Sequence, residues 1–209
     1  MLLGILLFLP AWSLYYWHGW VYLLILLVWI IFAIQYFLKR DPKLLERRLR
    51  RGPTAEKEMS QKIIQLLASI FAFSIFVIAG MDFRSGWSEV PMFLVIAACL
   101  LVILSFRIIF LVFRENSYAS SIIEIDSEQK VISSGPYSIV RHPMYSGSVL
   151  LYLVTPIALG SFAALPLALA VLVMIILRLL NEEKFLSGKL KDYKEYCSTV
   201  RYRLIPHVW

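Results

Sequence analysis

Arg141, His142 and Tyr145 stand together beside Pro143 in the run Ser134-Gly135-Pro136-Tyr137-Ser138-Ile139-Val140-Arg141-His142-Pro143-Met144-Tyr145-Ser146-Gly147. A guanidinium, an imidazole and a phenol in one stretch could hold an anion, move a proton or face a cation. Gly135-Pro136 predicts a turn, and His142-Pro143 predicts a helix start, because proline is at home in a first turn. The free N–H groups of such a start favour anions. A second group is Arg178, Glu182 and Glu183. Arg178 and Glu182 are four apart and share a helix face, whereas Glu183 points about 100° away. A third group is Tyr193, Tyr196, Arg201 and Arg203 near the C-terminus. Each group has a bland reading: a helix-start histidine, an i,i+4 ion pair, interfacial aromatics. A functional reading requires that all three end at the same surface.

Several chemistries are absent from the pattern. No Cys/His spacing suits zinc, and neither a Walker loop nor a GxGxxG fingerprint is present. A GxSxG elbow is also missing. The three histidines, His18, His142 and His207, do not make a multi-histidine iron site. No metal is expected.

The elements that must position these residues are membrane helices. The chain has 209 residues, 60% of them hydrophobic, against roughly 45–50% for a soluble domain. Its apolar residues come in long runs, which reads as an all-α integral membrane protein. About six spans are expected. Met1 to Trp17 is marginal in length and is broken by Pro10, with an aromatic belt of Tyr15, Tyr16, Trp17 and Trp20 after it. Trp20–Leu38, Ile63–Met81, Val90–Phe113, Met144–Gly160 and Ala163–Leu180 follow, the last continuing as helix to about Leu186. The net charge of +7 sits beside apolar runs, above all in Lys39, Arg40, Lys43, Arg47, Arg48, Arg50 and Arg51. That is the positive-inside signature rather than a nucleic-acid one. With six spans, this cluster, the His142 stretch and the tail fall on one side. Both termini are then cytoplasmic in a multi-pass protein. The apolar start lacks the basic flank and cleavage site of a signal peptide, so it is kept as structure.

Arg107 lies inside the fourth span but near its cytoplasmic end, where it can snorkel. Ile122–Ile125 and Lys130–Ile132 around Asp126-Ser127-Glu128-Gln129 read as a surface hairpin. Cys99 and Cys197 make no disulfide framework and are expected as free thiols. Two regions result: 1–113, four membrane helices, and 114–209, a polar loop, a two-helix hairpin and a tail. The second region carries the chemistry, in a cytoplasm-facing pocket.

The run Gly135-Pro136-Tyr137 through Arg141-His142-Pro143-Met144-Tyr145 and Gly147 is followed by Glu182-Glu183-x-x-Leu186, Tyr193-x-x-Tyr196 and Arg201-x-Arg203-x-x-Pro206. This pattern resembles the isoprenylcysteine carboxyl methyltransferase family and its prokaryotic relatives. The resemblance is specific from about residue 115 to the end; earlier it rests on hydropathy and on Asp41-Pro42-x-Leu44-Leu45-x-x-Arg48. Phospholipid N-methyltransferases share much of the C-terminal pattern, and NADPH-dependent sterol reductases do so more distantly. The resemblance implies an S-adenosylmethionine cofactor, held by Gln129, Lys130, Val131, Ile132, Tyr137, His142, Pro143, Met144, Tyr145 and Glu182. It implies Arg178 as the substrate-contacting arginine, so that Arg178 and Glu182 carry the catalytic roles. Glu124 falls near a family glutamine contact. Relatives often have Gly where this chain has Asp192.

The residue chemistry is compatible with that implication. A polar cofactor comes from the cytoplasm and a lipid acceptor from the bilayer, and a site at the cytoplasmic ends of the last two spans meets both. Tyr137 or Tyr145 can offer a π face to a sulfonium. Glu182 can pair with an ammonium, and Arg178 can clamp a carboxylate. A carboxylate acceptor needs no general base, whereas an amine acceptor does, and Glu182 or Glu183 would be wanted for it. The first expectation is methyl transfer to the carboxylate of an isoprenylcysteine-like compound. The alternatives are a phospholipid or amine N-methyltransferase, an NADPH-dependent reductase, and a non-enzymatic transporter or scaffold. The expected partners are a lipophilic or lipidated acceptor and membrane lipids, not nucleic acid.

Overall fold

The computed structural model describes residues 2–49, 56, 58–119 and 130–209. Eight α-helices lie among them: α1 (Leu2–Ala11), α2 (Trp17–Arg40), α3 (Pro42–Leu49), α4 (Met59–Ser85), α5 (Met92–Glu115), α6 (Pro143–Ala158), α7 (Leu165–Lys189) and α8 (Tyr193–Thr199). A 3₁₀ turn covers Gly135–Ser138.

Four helices are long and apolar enough to cross a membrane: α2, α4, α5 and α7, with 24, 27, 24 and 25 residues. At 1.5 Å per residue the shortest of them reaches about 36 Å, more than the roughly 30 Å of hydrocarbon in a bilayer. Their large side chains face outward, among them Leu24, Leu27, Ile31, Leu66, Ile70, Leu100, Leu104 and Val173. An apolar exterior on helices of that length marks an integral membrane protein. The other two expected spans are shorter. α1 has 10 residues and α6 has 16, or about 15 Å and 24 Å. α1 ends just after Pro10, where Trp12 turns the chain at a φ of 50°.

Close backbone approach fixes two of the helix pairs. A Cβ on Gly80 of α4 would stand 2.4 Å from the Leu7 carbonyl oxygen of α1. A Cβ on Gly147 of α6 would stand 2.8 Å from Ile109 of α5. α2 lies more loosely and is held by aromatic contacts. Trp29, Phe32, Tyr36 and Phe37 meet Phe106, Phe110 and Phe113 of α5.

One end of the bundle is closed by a polar clasp. Asp82, 1% exposed, accepts from the Ser88 backbone N–H and hydroxyl at 2.8 and 2.6 Å and from the Ser161 hydroxyl. It thereby ties the α4–α5 loop to the α6–α7 loop. Tyr16 donates to the Leu159 carbonyl at 2.5 Å and is fully buried. It is therefore a packing residue of this end, whereas Tyr15, Trp17 and Trp20 are exposed as an aromatic belt requires. Arg107 is exposed on α5. Lys130, Val131 and Ile132 are not in a strand; the other flank of the expected hairpin, with Glu124 and Gln129, lies outside the described residues.

The opposite end carries the polar residues that the sequence singles out. There α2, α5 and α7 finish and α4 and α6 begin. Asp41 caps α3 through a hydrogen bond from the Leu44 N–H to Oδ1 at 3.0 Å, which turns the chain sharply after Arg40.

Candidate functional site

Three local features build this end. His142 stands at the N-cap position of α6 and Pro143 takes its first turn. Pro143 has no N–H, and the Met144 and Tyr145 N–H groups have no intrahelical acceptor at that position. Glu182 and Glu183 lie near the end of α7, on adjoining faces. The tail then folds back along the chain before α6: the Arg141 and His142 N–H groups donate to the Tyr202 and Arg203 carbonyls at 2.9 and 3.0 Å. The Ser146 hydroxyl adds a bond to the Leu204 carbonyl at 2.6 Å.

Glu183 is the hub of that docking. It is 8% exposed. Its Oε2 accepts from Arg203 Nε at 2.7 Å, and its Oε1 lies 2.8 Å from Arg141 Nη1 and 3.4 Å from His142 Nε2. The Arg141 contact is close in distance but not aligned as a hydrogen bond. A buried carboxylate with two guanidinium neighbours is paired rather than stranded. Glu183 thus faces the tail, and Glu182, one residue earlier, faces a cavity.

The cavity is about 270 Å³. Its walls come from both ends of the chemistry-bearing region. Lys130, Val131, Ile132, Tyr137, Arg141, His142, Pro143, Met144 and Tyr145 form one side; Arg178, Glu182, Leu186, Leu190, Tyr193 and Tyr196 form the other. Every residue the resemblance implies for the cofactor lines it except Gln129, which lies outside the described residues. Arg178 lines it too. Arg48, Asn116, Tyr118 and Ala119 complete the wall; of these the sequence singled out Arg48 alone, for its charge and its place in the stretch from Asp41 to Arg48 and not as a contact. Asn116, Tyr118 and Ala119 come from the chain just after α5.

Hydrogen bonds orient the lining groups. Tyr145 donates to Glu182 Oε2 at 2.5 Å. Asn116 Nδ2 donates to the Tyr137 hydroxyl at 2.9 Å. Tyr196 donates to the Tyr137 carbonyl at 2.7 Å, and the Tyr193 hydroxyl lies 3.5 Å from His142 Nε2. Burial, aided by Glu182, pushes the Tyr137 hydroxyl up to about 12; the Asn116 hydrogen bond and Arg48 oppose it. Burial likewise raises Tyr193 and Tyr196. All three therefore stay neutral phenols at physiological pH. Tyr193 and Tyr196 pack with Val131, Leu186, Leu190 and Cys197, so they are buried wall residues rather than interfacial anchors.

Arg178 has a partner that no local spacing announces. Its Nη2 donates to Glu56 Oε1 at 2.7 Å, while Tyr145 and Glu182 remain within its electrostatic reach. Arg48 lies over the Phe113 ring at 4.6 Å and meets Met144 Sδ at 3.7 Å. Among the described residues, no group of three His, Cys, Asp or Glu is placed to hold a metal.

The donor set suits a zwitterionic, partly aromatic ligand. It offers a carboxylate, helix-start N–H groups, tyrosine rings and a guanidinium within one cavity. Residues 93–192 match the model of the phospholipid methyltransferase family. That segment runs from the first turn of α5 to the residue before α8, and so contains most of the cavity wall. No curated protein matches the chain. The family match supports a membrane methyltransferase.

Proposed function

We propose that the protein is an S-adenosylmethionine-dependent methyltransferase acting on a lipophilic acceptor, with the carboxylate of an isoprenyl-like thioether as the first acceptor class. One observation carries this reading: the described residues implied for the cofactor and for the acceptor, drawn from Lys130 to Tyr145 on one side and being Arg178 and Glu182 on the other, line one cavity at the end of an apolar bundle.

The bound cofactor supplies an electrophilic methyl on a sulfonium. The chain's residues bind and orient. Glu182, positioned by the Tyr145 hydroxyl, takes the ammonium of the amino-acid moiety. The N–H groups of Met144 and Tyr145 take its carboxylate, as anions are held at helix starts. Tyr137 presents its ring face to the adenine or to the sulfonium. Its neutral hydroxyl keeps an extra negative charge out of the site. His142, between Glu183 and Tyr193, holds the α6 start against the tail and keeps that binding edge in place. Arg178 orients the acceptor carboxylate in fork geometry. A carboxylate is already ionised, so no base is required. The residues' contribution is alignment of the two reactants and exclusion of water.

In this reading six apolar helices contact the bilayer: α6 runs with the long helices from the site to the clasp, and α1 enters from the clasp end only part of the way. The site then faces the cytoplasm, as does the C-terminus, while the short α1 places its start within the bilayer. The positive cluster from Lys39 to Arg51 supports that orientation.

The family match is equally compatible with a second reading, which we take as transfer to the amine of a phospholipid. Glu182 would then also accept the proton that an ammonium acceptor must lose. The test is methyl transfer from methyl-labelled S-adenosylmethionine, by purified protein, to a farnesyl thioether acid and to phosphatidylethanolamine. Label released by mild base is a methyl ester and supports the first reading. Base-stable label in the phospholipid supports the second. Label in neither, with cofactor bound, removes both acceptor classes.

A further inference from the structure

Behind the cavity, Arg178 already holds a carboxylate. Glu56 is 4% exposed and lies ahead of α4, outside the long apolar helices. Its Oε1 takes the Arg178 Nη2 donor at 2.7 Å and the Gln65 Nε2 donor at 2.8 Å. Gln61, one turn before Gln65 on α4, brings its own Oε1 to 3.4 Å from Arg178 Nη1. The guanidinium therefore stands between a buried carboxylate on one side and the cavity, with Tyr145 and Glu182, on the other.

Glu56 and Glu182 both stand near this one guanidinium. A third carboxylate arriving from the cavity meets repulsion that a low-dielectric surround magnifies. It gains Arg178 fully only where Glu56 yields it. We propose that Glu56 is an internal stand-in for the acceptor's carboxylate and determines acceptor specificity. Small water-soluble carboxylates cannot displace it, because they bring charge and nothing else. An acceptor with a long apolar tail can, because burial of the tail offsets the exchange. Glu56 acts through Arg178 and is a positioning residue, not a catalytic one. This inference rests on the methyltransferase reading with a carboxylate acceptor.

The test is calorimetric binding of a farnesyl thioether carboxylic acid, and of its uncharged carboxamide, to detergent-purified wild type and Glu56→Gln. Glutamine keeps the shape and an acceptor oxygen for Arg178 and Gln65 while removing the charge. The stand-in predicts that Glu56→Gln binds the acid roughly tenfold more tightly, as expected when like charge is removed beside a recognised anion. The carboxamide should change little. Gln65→Leu loosens Glu56 without removing its charge, and should shift acid binding in the same direction by less; it serves where Glu56→Gln does not fold. Acid binding that is unchanged or weaker in a folded variant overturns the proposal. So does equal tightening of acid and carboxamide, which would make Glu56 a steric plug, and so does a wild type that binds neither. S-adenosylmethionine binding by wild type is read separately, so failure of the stand-in is distinct from failure of the methyltransferase reading.

Discussion

Glu183 and Glu182 are adjacent, yet they have different work. Glu183 joins Arg141, His142 and Arg203, so it holds the tail against the start of α6. Glu183→Gln should lower stability by about 1–3 kcal/mol, the range for lost hydrogen bonds to charged groups. Thermal unfolding would measure it, and limited proteolysis should show earlier cleavage in the tail. Asp192 takes a left-handed φ of 64° and makes no side-chain cap to α8. Glycine adopts that backbone at no steric cost. Asp192→Gly should therefore be neutral or stabilising, whereas Asp192→Val should cost about 1–2 kcal/mol, readable as a lower unfolding midpoint. Burial pushes the Tyr137 hydroxyl up to about 12 in the folded chain, from its ordinary value of 10. Above the unfolded value the unfolded chain has released more protons, so stability falls as pH rises from there through the folded value. The decline of unfolding temperature between those pH values should be shallower in Tyr137→Phe.

At the scale of elements, α7 is the organiser. Its last turns give Arg178 and Glu182 to the cavity and Glu183 to the tail, as the 3.6-residue period anticipates. The start of α6 was equally legible, because His142-Pro143 is a local signal. The partner of Arg178 was not, since Glu56 is 122 positions away and only the fold brings it near. Asn116 and Tyr118 escaped for the same reason. The tail tyrosines read as interfacial aromatics because sequence shows amphipathic rings but not the Val131 and Leu186 side chains that bury them. Helix contact also depends on small residues that hydropathy ignores. Gly147→Leu should force α5 and α6 apart and cost at least about 1–3 kcal/mol through overpacking. The same variant should weaken cofactor binding, because α6 carries Tyr145 and the helix-start N–H groups; unfolding and binding titrations would check both.

For the whole molecule, apolar runs placed the long helices to within a few residues, because a bilayer sets a length that composition can be read against. α1 and α6 were harder, since helices of 10 and 16 residues are apolar like spans but shorter than one. The polar clasp at Asp82 and the docked tail were invisible, as each joins groups far apart in the chain. The molecule has a polar cavity at one end of an apolar bundle, and in the proposed reading a water-soluble cofactor and a membrane-borne acceptor meet there. The central claim is that this cavity holds S-adenosylmethionine. Its most direct test is calorimetric titration of S-adenosylmethionine into wild type and Glu182→Gln, in detergent and in lipid nanodiscs. The account predicts saturable micromolar-range binding to wild type and its loss in a folded Glu182→Gln. A folded wild type that binds no S-adenosylmethionine in either medium, or a Glu182→Gln variant that binds as well as wild type, would contradict it.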